Sequence, residues 1–565
     1  MSWPRPVPVI GDTTSAAERA ADPAAWAFPA AVRTALHDVI GARRDIRRFR
    51  PDPVPAELLR EVLAAGHSAP SVGHSQPWRF VVITEQATRD RAALLADRER
   101  IRQADLLEPD RRARLLDLQL EGIREAPLGI VVACDRRAPA TGVLGRATFP
   151  DTDLWSCACA IENIWLAARA AGLGVGWVTL FRPDDLAALL HLPDGVETLG
   201  WLCLGWPDER PPEPGLERQG WSHRLGLDDV VLAERWPSTG EPSAPASHLA
   251  GPDQQAVVAA RDTGDDLLAA PGSLGVLDAT VNRVLALRGE APTTGTLVLA
   301  AADHPVAAHG VSAYSQRVTA EVLAATLAGE SLGAVTAASA GLQVSAHRAV
   351  ALEEQGDLVH ADALTMRDVQ ALLQQGERLG REAARHGLVC LGEVGIGNTT
   401  VAAALCSALL DLDPDDTVGL GTGADATILL RKRDVVTRSL ARARAYQGAA
   451  LADPVIAMAA LGGPDVALLA GVTLGAANSG RTVVLDGLVT TLAALLAVRI
   501  EPGTQAALVA GQRSRERAHA AVLTELGLEP LLDLRLRAGE GVGACLAAQL
   551  LLTALAARRS AGRVQ

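Results

Sequence analysis

The chain has 565 residues, 48% apolar and 21% charged. It is too long for one hydrophobic core and too apolar to be disordered, so between about two and four domains are expected. A net charge of −13 argues against a broad nucleic-acid surface. Lys432 is the only lysine, which leaves no P-loop and makes arginine, backbone N–H groups and helix N-termini the expected phosphate ligands.

Seven cysteines are scattered along the chain. Cys157 and Cys159, one residue apart in an apolar run, lack the spacing of most zinc sites and read as small core residues, so no metal is expected. The start, Met-Ser-Trp-Pro-Arg-Pro, lacks the charged opening and apolar core of a signal peptide. Asp465 and Gln549 interrupt the most apolar stretches. A soluble cytoplasmic protein with no membrane partner is the expectation.

In chain order, residues 1–29 are rich in Pro and Ala and predict loose order. Residues 30–236 alternate helix and strand patterns: a helix over Ala56–Ala65, strands at Trp78–Thr84 and Leu128–Cys134, a long helix over Leu154–Ala171, a turn and strand over Gly172–Leu180, and a strand at Glu197–Leu204. Residues 237–252 consist mainly of turn and linker residues and mark the domain boundary. Residues 253–565 predict Ala/Leu-rich helices with short strands at Thr296–Ala301, Leu388–Leu391 and Thr482–Leu485. Strand, glycine-rich turn and helix in succession predict α/β layering.

Two motifs in that second region carry chemistry. Gly392-Glu-Val-Gly-Ile-Gly-Asn-Thr-Thr400 and Ala538-Gly-Glu-Gly-Val-Gly543 each hold a glutamate among glycines beside an apolar run. Glycines let backbone approach a ligand and aim N–H groups at it, and the carboxylate is sited to act as a base. A substrate carrying phosphate and sugar is the expected class. In the first region, Gly41-Ala-Arg-Arg-Asp-Ile-Arg-Arg48 concentrates arginines able to hold a phosphate. Ser68-Ala-Pro-Ser-Val-Gly-His-Ser-Gln-Pro-Trp78 sets hydroxyls and an amide in a loop before a strand.

These two segments resemble the nitroreductase fold, and Arg43-Arg-Asp-Ile-Arg47, Ala69-Pro-Ser-Val-Gly73, Gln76-Pro-Trp78 and Gly174-Val-Gly-Trp177 resemble 5,6-dimethylbenzimidazole synthase (BluB type) in particular. The resemblance implies an α+β N-terminal domain over residues 30–236. It implies that reduced FMN is the substrate, fragmented with dioxygen, NAD(P)H being the expected source of flavin reduction. By that resemblance Asp45 and Thr179 are catalytic, and Arg43, Arg44, Asp45, Arg47, Ser71, Gln76, Gly174 and Gly176 bind the flavin.

Residues 260–560 resemble nicotinate-nucleotide–dimethylbenzimidazole phosphoribosyltransferase (CobT type), through Asp303-His304, Gly310-Val-Ser-Ala313, the two glycine–glutamate loops, Gly421-Thr-Gly423 and Leu485-Asp-Gly487. The resemblance implies a helix-rich α/β domain that joins dimethylbenzimidazole to the ribose phosphate of nicotinate mononucleotide. Glu540 is the implied base, with Ser312, Glu393, Gly395, Gly397, Asn398, Thr399, Gly421 and Gly423 binding substrate. Pro305, His309, Ala269 and Leu420 depart from that family's pattern. The first product is the second substrate, so a bifunctional enzyme of cobalamin lower-ligand synthesis, a homodimer, is expected. The rival expectation is an NAD(P)H-dependent flavin reductase fused to a degenerate base-binding domain.

Overall fold

The computed structural model describes residues 11–12, 14–118, 122–234, 236, 247–249, 251–287, 291–419, 421 and 426–563. The chain divides into two compact units: Trp26–Ser238 forms one, and Met1–Ala25 with Thr239–Gln565 forms the other.

The first unit is built on a four-stranded antiparallel sheet in the order β1-β2-β4-β3. Its strands are β1 (Trp78–Ile83), β2 (Leu128–Asp135), β3 (Gly174–Val178) and β4 (Val196–Gly205). Successive side chains of a strand face opposite ways. Ile130, Val132, Leu202 and Leu204 therefore pack with Cys157, Ile161 and Ile164 of the helix Thr152–Ala170 on one face. Val131, Trp201 and Cys203 pack with Ala92, Ala93 and Ala96 of the helix Gln86–Ala104 on the other. Cys157 is buried as expected, but Cys159, two positions on and so off the inward face of that helix, is exposed.

The second unit holds a parallel sheet in the order β6-β5-β7-β8-β9. Its strands are β5 (Gly295–Ala301), β6 (Leu342–Arg348), β7 (Leu388–Val394), β8 (Val483–Leu485) and β9 (Leu508–Ala510). β5, β8 and β9 are buried throughout, as a parallel sheet covered by helices on both faces requires. The edge strands β6 and β9 are absent from the sequence reading. β6 reads Leu-Gln-Val-Ser-Ala-His-Arg, half polar because it lies at an edge, and β9 has only three residues.

Two helices of this unit, Met366–Ala384 and Pro464–Asn478, meet backbone to backbone through Gly376 and Gly380 on one and Gly471 and Gly475 on the other. A Cβ at Gly380 would lie 2.2 Å from the Val472 carbonyl oxygen. The second of these helices brings Asp465, in its first turn, to the end of β5.

Where loose order is expected near the start, Ala16–Ala21 forms a helix with a capping box, and Arg19 pairs with Asp262 of the same unit at 2.5 Å. Most of the expected linker lies outside the described residues. At its end, the His248 amide donates to Glu501 Oε2 at 3.0 Å. Among the described residues two stretches, Arg317–Ser339 and Val542–Ser560, are long and apolar enough to cross a bilayer by length and composition alone. The first is broken into two helices, Arg317–Leu327 and Leu332–Ser339, and over half of the second is buried against the sheet.

Candidate active sites

In the first unit the arginine segment lies along the edge strand β3. Asp45 bridges to Val175, and the Ile46 amide donates to the Val175 carbonyl at 3.0 Å. Gly176 makes this approach possible, since a Cβ there would lie 2.2 Å from the Ile46 carbonyl oxygen. Gly174 likewise faces the Ile46 side chain. The structure thus places both glycines against protein backbone and side chain, where they admit the arginine segment.

Asp45 is exposed, and its Oδ1 accepts from Arg47 Nη2 at 2.9 Å and from the Trp177 amide at 3.3 Å. Arg43 stacks on Trp165 at 4.6 Å from the ring centroid. Arg44 donates to the carbonyls of Gly41, Arg43 and Pro212, which commits it to holding its own segment. The amides of Arg47 and Arg48 both donate to Glu209 Oε1, a carboxylate that the sequence reading passed over. Thr179, just past β3, is exposed.

The serine–glutamine loop sits before β1, the opposite edge of the sheet. Ser71 Oγ accepts from the Gln76 amide at 3.1 Å, and Gln76 is held at a φ of 47°, a conformation that non-glycine residues seldom adopt. Beside Gln76 opens a cavity of about 410 Å³ lined by Arg79, Arg137 and Arg146 with Asp135 and Asp153. Ser71 and Gln76 are therefore together, and Arg43, Asp45, Arg47 and Thr179 are together at the β3 edge. Three strand spacings, roughly 14 Å, separate the two groups within one unit.

In the second unit the two glycine–glutamate loops meet. The Glu540 amide donates to the Glu393 carbonyl at 3.0 Å, and a Cβ at Gly392 would lie 2.8 Å from the Glu540 carbonyl carbon. The first loop leaves β7 and enters the helix Asn398–Leu409 through Gly397 at φ 100°. The second enters the helix Val542–Ser560 through Gly541 at φ 76°, and Glu540 itself is held at φ 63°. Two helix N-termini, each with a positive dipole end, thereby converge at the C-terminal edge of a parallel sheet, where α/β folds bind ligands.

The carboxylates gathered there repel one another. Glu393 Oε2 accepts from Asn398 Nδ2. Burial first, and then the charges of Asp465 and Asp486, push the Glu393 carboxyl from its ordinary 4.5 up to about 8. Burial raises Asp486 to about 6, although Gln512 Nε2 at 2.9 Å and the Gly543 amide at 2.8 Å donate to its Oδ1. Glu540 is half-buried, with its Oε2 accepting from the Gly333 amide at 3.1 Å. Buried His304, after β5, lies 3.3 Å from Asp465 Oδ2. Asp465 was legible only as a break in an apolar stretch, and Asp486 only as part of a resembling segment. The signal in both is a lone acid inside an otherwise apolar run, which must have a partner when buried.

The Gly395–Thr400 segment engages many of its own donors. The Ile396 amide donates to Thr319 Oγ1 at 3.3 Å, Thr399 to Asn398 Oδ1 at 2.7 Å, and Thr400 to the Gly397 carbonyl at 2.9 Å. The cation here is the sole lysine rather than an arginine. Lys432 is buried and its Nζ donates to Thr399 Oγ1 at 2.8 Å, and burial lowers its pKa. The Gly421 amide donates to Glu516 Oε1 at 2.9 Å, with a Cβ at Gly421 placed 2.8 Å from Lys432 Nζ. Thr399 and Gly421 thus meet one lysine, an arrangement that composition alone pointed away from, while Gly395 and Gly397 lie against His304 and Asn398 holds Glu393. Ser312 lies in the loop after β5 and accepts from the Tyr314 amide at 3.1 Å. Gly423 lies outside the described residues.

Comparison with known proteins assigns each unit. A phosphoribosyltransferase family model matches residues 249–564, and a nitroreductase family model matches residues 40–206. A 5,6-dimethylbenzimidazole synthase from Rhodospirillum rubrum is 43% identical over 199 residues, 35% of this chain and 93% of the relative. A nicotinate-nucleotide–dimethylbenzimidazole phosphoribosyltransferase from Mycobacterium avium is 39% identical over 332 residues, 55% of this chain and 93% of the relative. The crystal structure of CobT from Thermus thermophilus matches at 38% identity with a TM-score of 0.51, covering 55% of this chain and 97% of that one. The chain therefore belongs to the phosphoribosyltransferase family through its C-terminal region and to the 5,6-dimethylbenzimidazole synthase family, within the nitroreductases, through its N-terminal region.

Proposed function

We propose that the chain makes 5,6-dimethylbenzimidazole from reduced FMN and dioxygen in its first unit. In its second unit it transfers ribose phosphate from nicotinate mononucleotide to that base, giving α-ribazole 5'-phosphate and nicotinate. The observation that carries the reading is the junction of the Glu393 and Glu540 loops at the sheet's C-terminal edge, in a chain whose other unit matches a synthase of the acceptor base.

For the first reaction, the flavin itself supplies the chemistry with dioxygen. Arg43 and Arg47 favour its phosphate, and Asp45, exposed and hydrogen-bonded on Oδ1, moves protons during ring cleavage. The arginine edge and the Gln76 loop lie on opposite edge strands, so a second copy is needed to complete a compact flavin site. The helix Ala30–Ala42 supports this, because it buries none of its residues and leaves Val32, Leu36 and Ile40 exposed along one face in line with Phe28. A homodimer is the proposed state, and sedimentation at the mass of one chain would contradict it.

For the second reaction, one ring nitrogen of dimethylbenzimidazole attacks the anomeric carbon of the nucleotide. The bond from that carbon to the nicotinate nitrogen breaks, and the proton on the acceptor's other ring nitrogen passes to Glu540. The Gly333 amide holds the Glu540 carboxylate in place. Glu393, raised to about 8, is mainly protonated at neutral pH and donates a hydrogen bond to the ribose or base. Lys432 favours the phosphate through Thr399 and the helix N-terminus behind it.

Three variants test these roles. Asp45→Asn keeps an acceptor for the Trp177 amide, so it should bind FMN and yet release no dimethylbenzimidazole in aerobic reactions followed by mass spectrometry. Near-normal product would sink the proton-relay role. Glu540→Gln preserves shape and removes the proton-accepting charge, so transfer should fall about 10²–10⁴-fold while dimethylbenzimidazole accumulates in the coupled assay. A normal rate would assign the base elsewhere. The third is read from stability: Glu393 holds its proton more tightly folded than unfolded, so the stability it contributes is complete below its ordinary 4.5 and is lost as pH rises through about 8. Glu393→Gln should flatten the fall in melting temperature across that window, and equal slopes in the two proteins would contradict the shifted carboxyl.

A further inference from the structure

We propose that His309, Asp357 and His360 form a binding site for one divalent transition-metal ion of the zinc class, separate from the carboxylate cluster. Their donor atoms all lie within 4.8 Å of one another, and this is the one such grouping among the described residues. His309 Nε2 is 3.3 Å from Asp357 Oδ2, and His360 Nδ1 is 2.8 Å from the same oxygen. In a tetrahedral zinc site with bonds of about 2.0–2.1 Å, neighbouring donors stand roughly 3.3–3.4 Å apart. The His309–Asp357 edge already has that length, and the His360–Asp357 edge is about half an ångström shorter.

The donor set fits the chemistry. Two imidazoles and a carboxylate suit zinc, cobalt and related ions rather than magnesium or calcium, which prefer all-oxygen sites. The histidine rings sit 6.0 Å apart at an interplanar angle of 32°, flanking the carboxylate.

The support around the donors is also built. Asp357 Oδ1 accepts from the Val359 amide at 2.7 Å, which leaves Oδ2 for the histidines. Arg442 grips the same loop, donating to the Leu358 carbonyl at 3.0 Å and to Asp362 Oδ1 at 2.6 Å. Partners of this kind fix the orientation of metal ligands. The His360 side chain is 66% exposed, so the fourth position opens to water. Such an ion would join the loop after β5, which contains His304, to the loop preceding the helix Met366–Ala384.

The test uses the full chain, stripped of metal, titrated with Co²⁺ and followed by its visible d–d absorption. One equivalent should give the intense bands of a tetrahedral site, and Zn²⁺ should abolish them by displacement. His309→Ala and His360→Ala should each weaken binding by more than the roughly 10–100-fold cost of losing a supporting partner, while the control His386→Ala binds as the parent does. His360 is exposed, so its alanine variant should melt like the parent without metal. Absence of saturable absorption, or unchanged affinity in both cluster variants, overturns the site.

Discussion

A single backbone contact organises the second unit's chemistry: the Glu540 amide donates to the Glu393 carbonyl, with Gly392 lying against the Glu540 backbone. A side chain at Gly392 would force the two loops apart, since a Cβ there would lie 2.8 Å from the Gly541 amide nitrogen. With the loops joined, two helix N-termini share one space and four acidic residues surround it. The positive ends of the helices offset part of that negative charge, while burial raises both the Glu393 and Asp486 carboxyls and the charges of Asp465 and Asp486 raise Glu393 further. Close packing, helix geometry and proton affinity are one arrangement seen at three levels.

The first unit depends on the same device, a glycine that admits backbone. Gly176 lets the arginine segment lie on β3 as an extra extended edge. That contact fixes which residues face outward, placing Asp45 beside Arg47 and the Trp177 amide. The glycines of Gly174-Val-Gly-Trp177 thus act from behind, by admitting the segment that carries Asp45 and Arg47.

Much of this was legible from residue order. The buried strands β2, β5 and β7 are apolar runs bounded by turn residues, and the glutamates stand out because glycines flank them. What escaped did so for physical reasons. β6 is half polar because one side of an edge strand meets solvent, so its pattern is that of a loop. Asp465 and Asp486 owe their place to partners far away in sequence, His304, Gln512 and Gly543. Lys432 stands out in the sequence only as the sole lysine and within the resembling segment Arg431-Lys-Arg433, while the fold sets it beside Thr399. His309, Asp357 and His360 are joined by two loops whose meeting no local pattern announces.

Two families in one chain make a specific chemical claim, that one unit's product feeds the other. Joining them raises the local concentration of the base at the second site without requiring a channel. The direct measurement incubates the chain with reduced FMN, dioxygen and nicotinate mononucleotide, and follows products by mass spectrometry. The account predicts α-ribazole 5'-phosphate and nicotinate in equal amounts, with free dimethylbenzimidazole when the nucleotide is omitted. Reoxidised, intact FMN with neither dimethylbenzimidazole nor α-ribazole 5'-phosphate would contradict it.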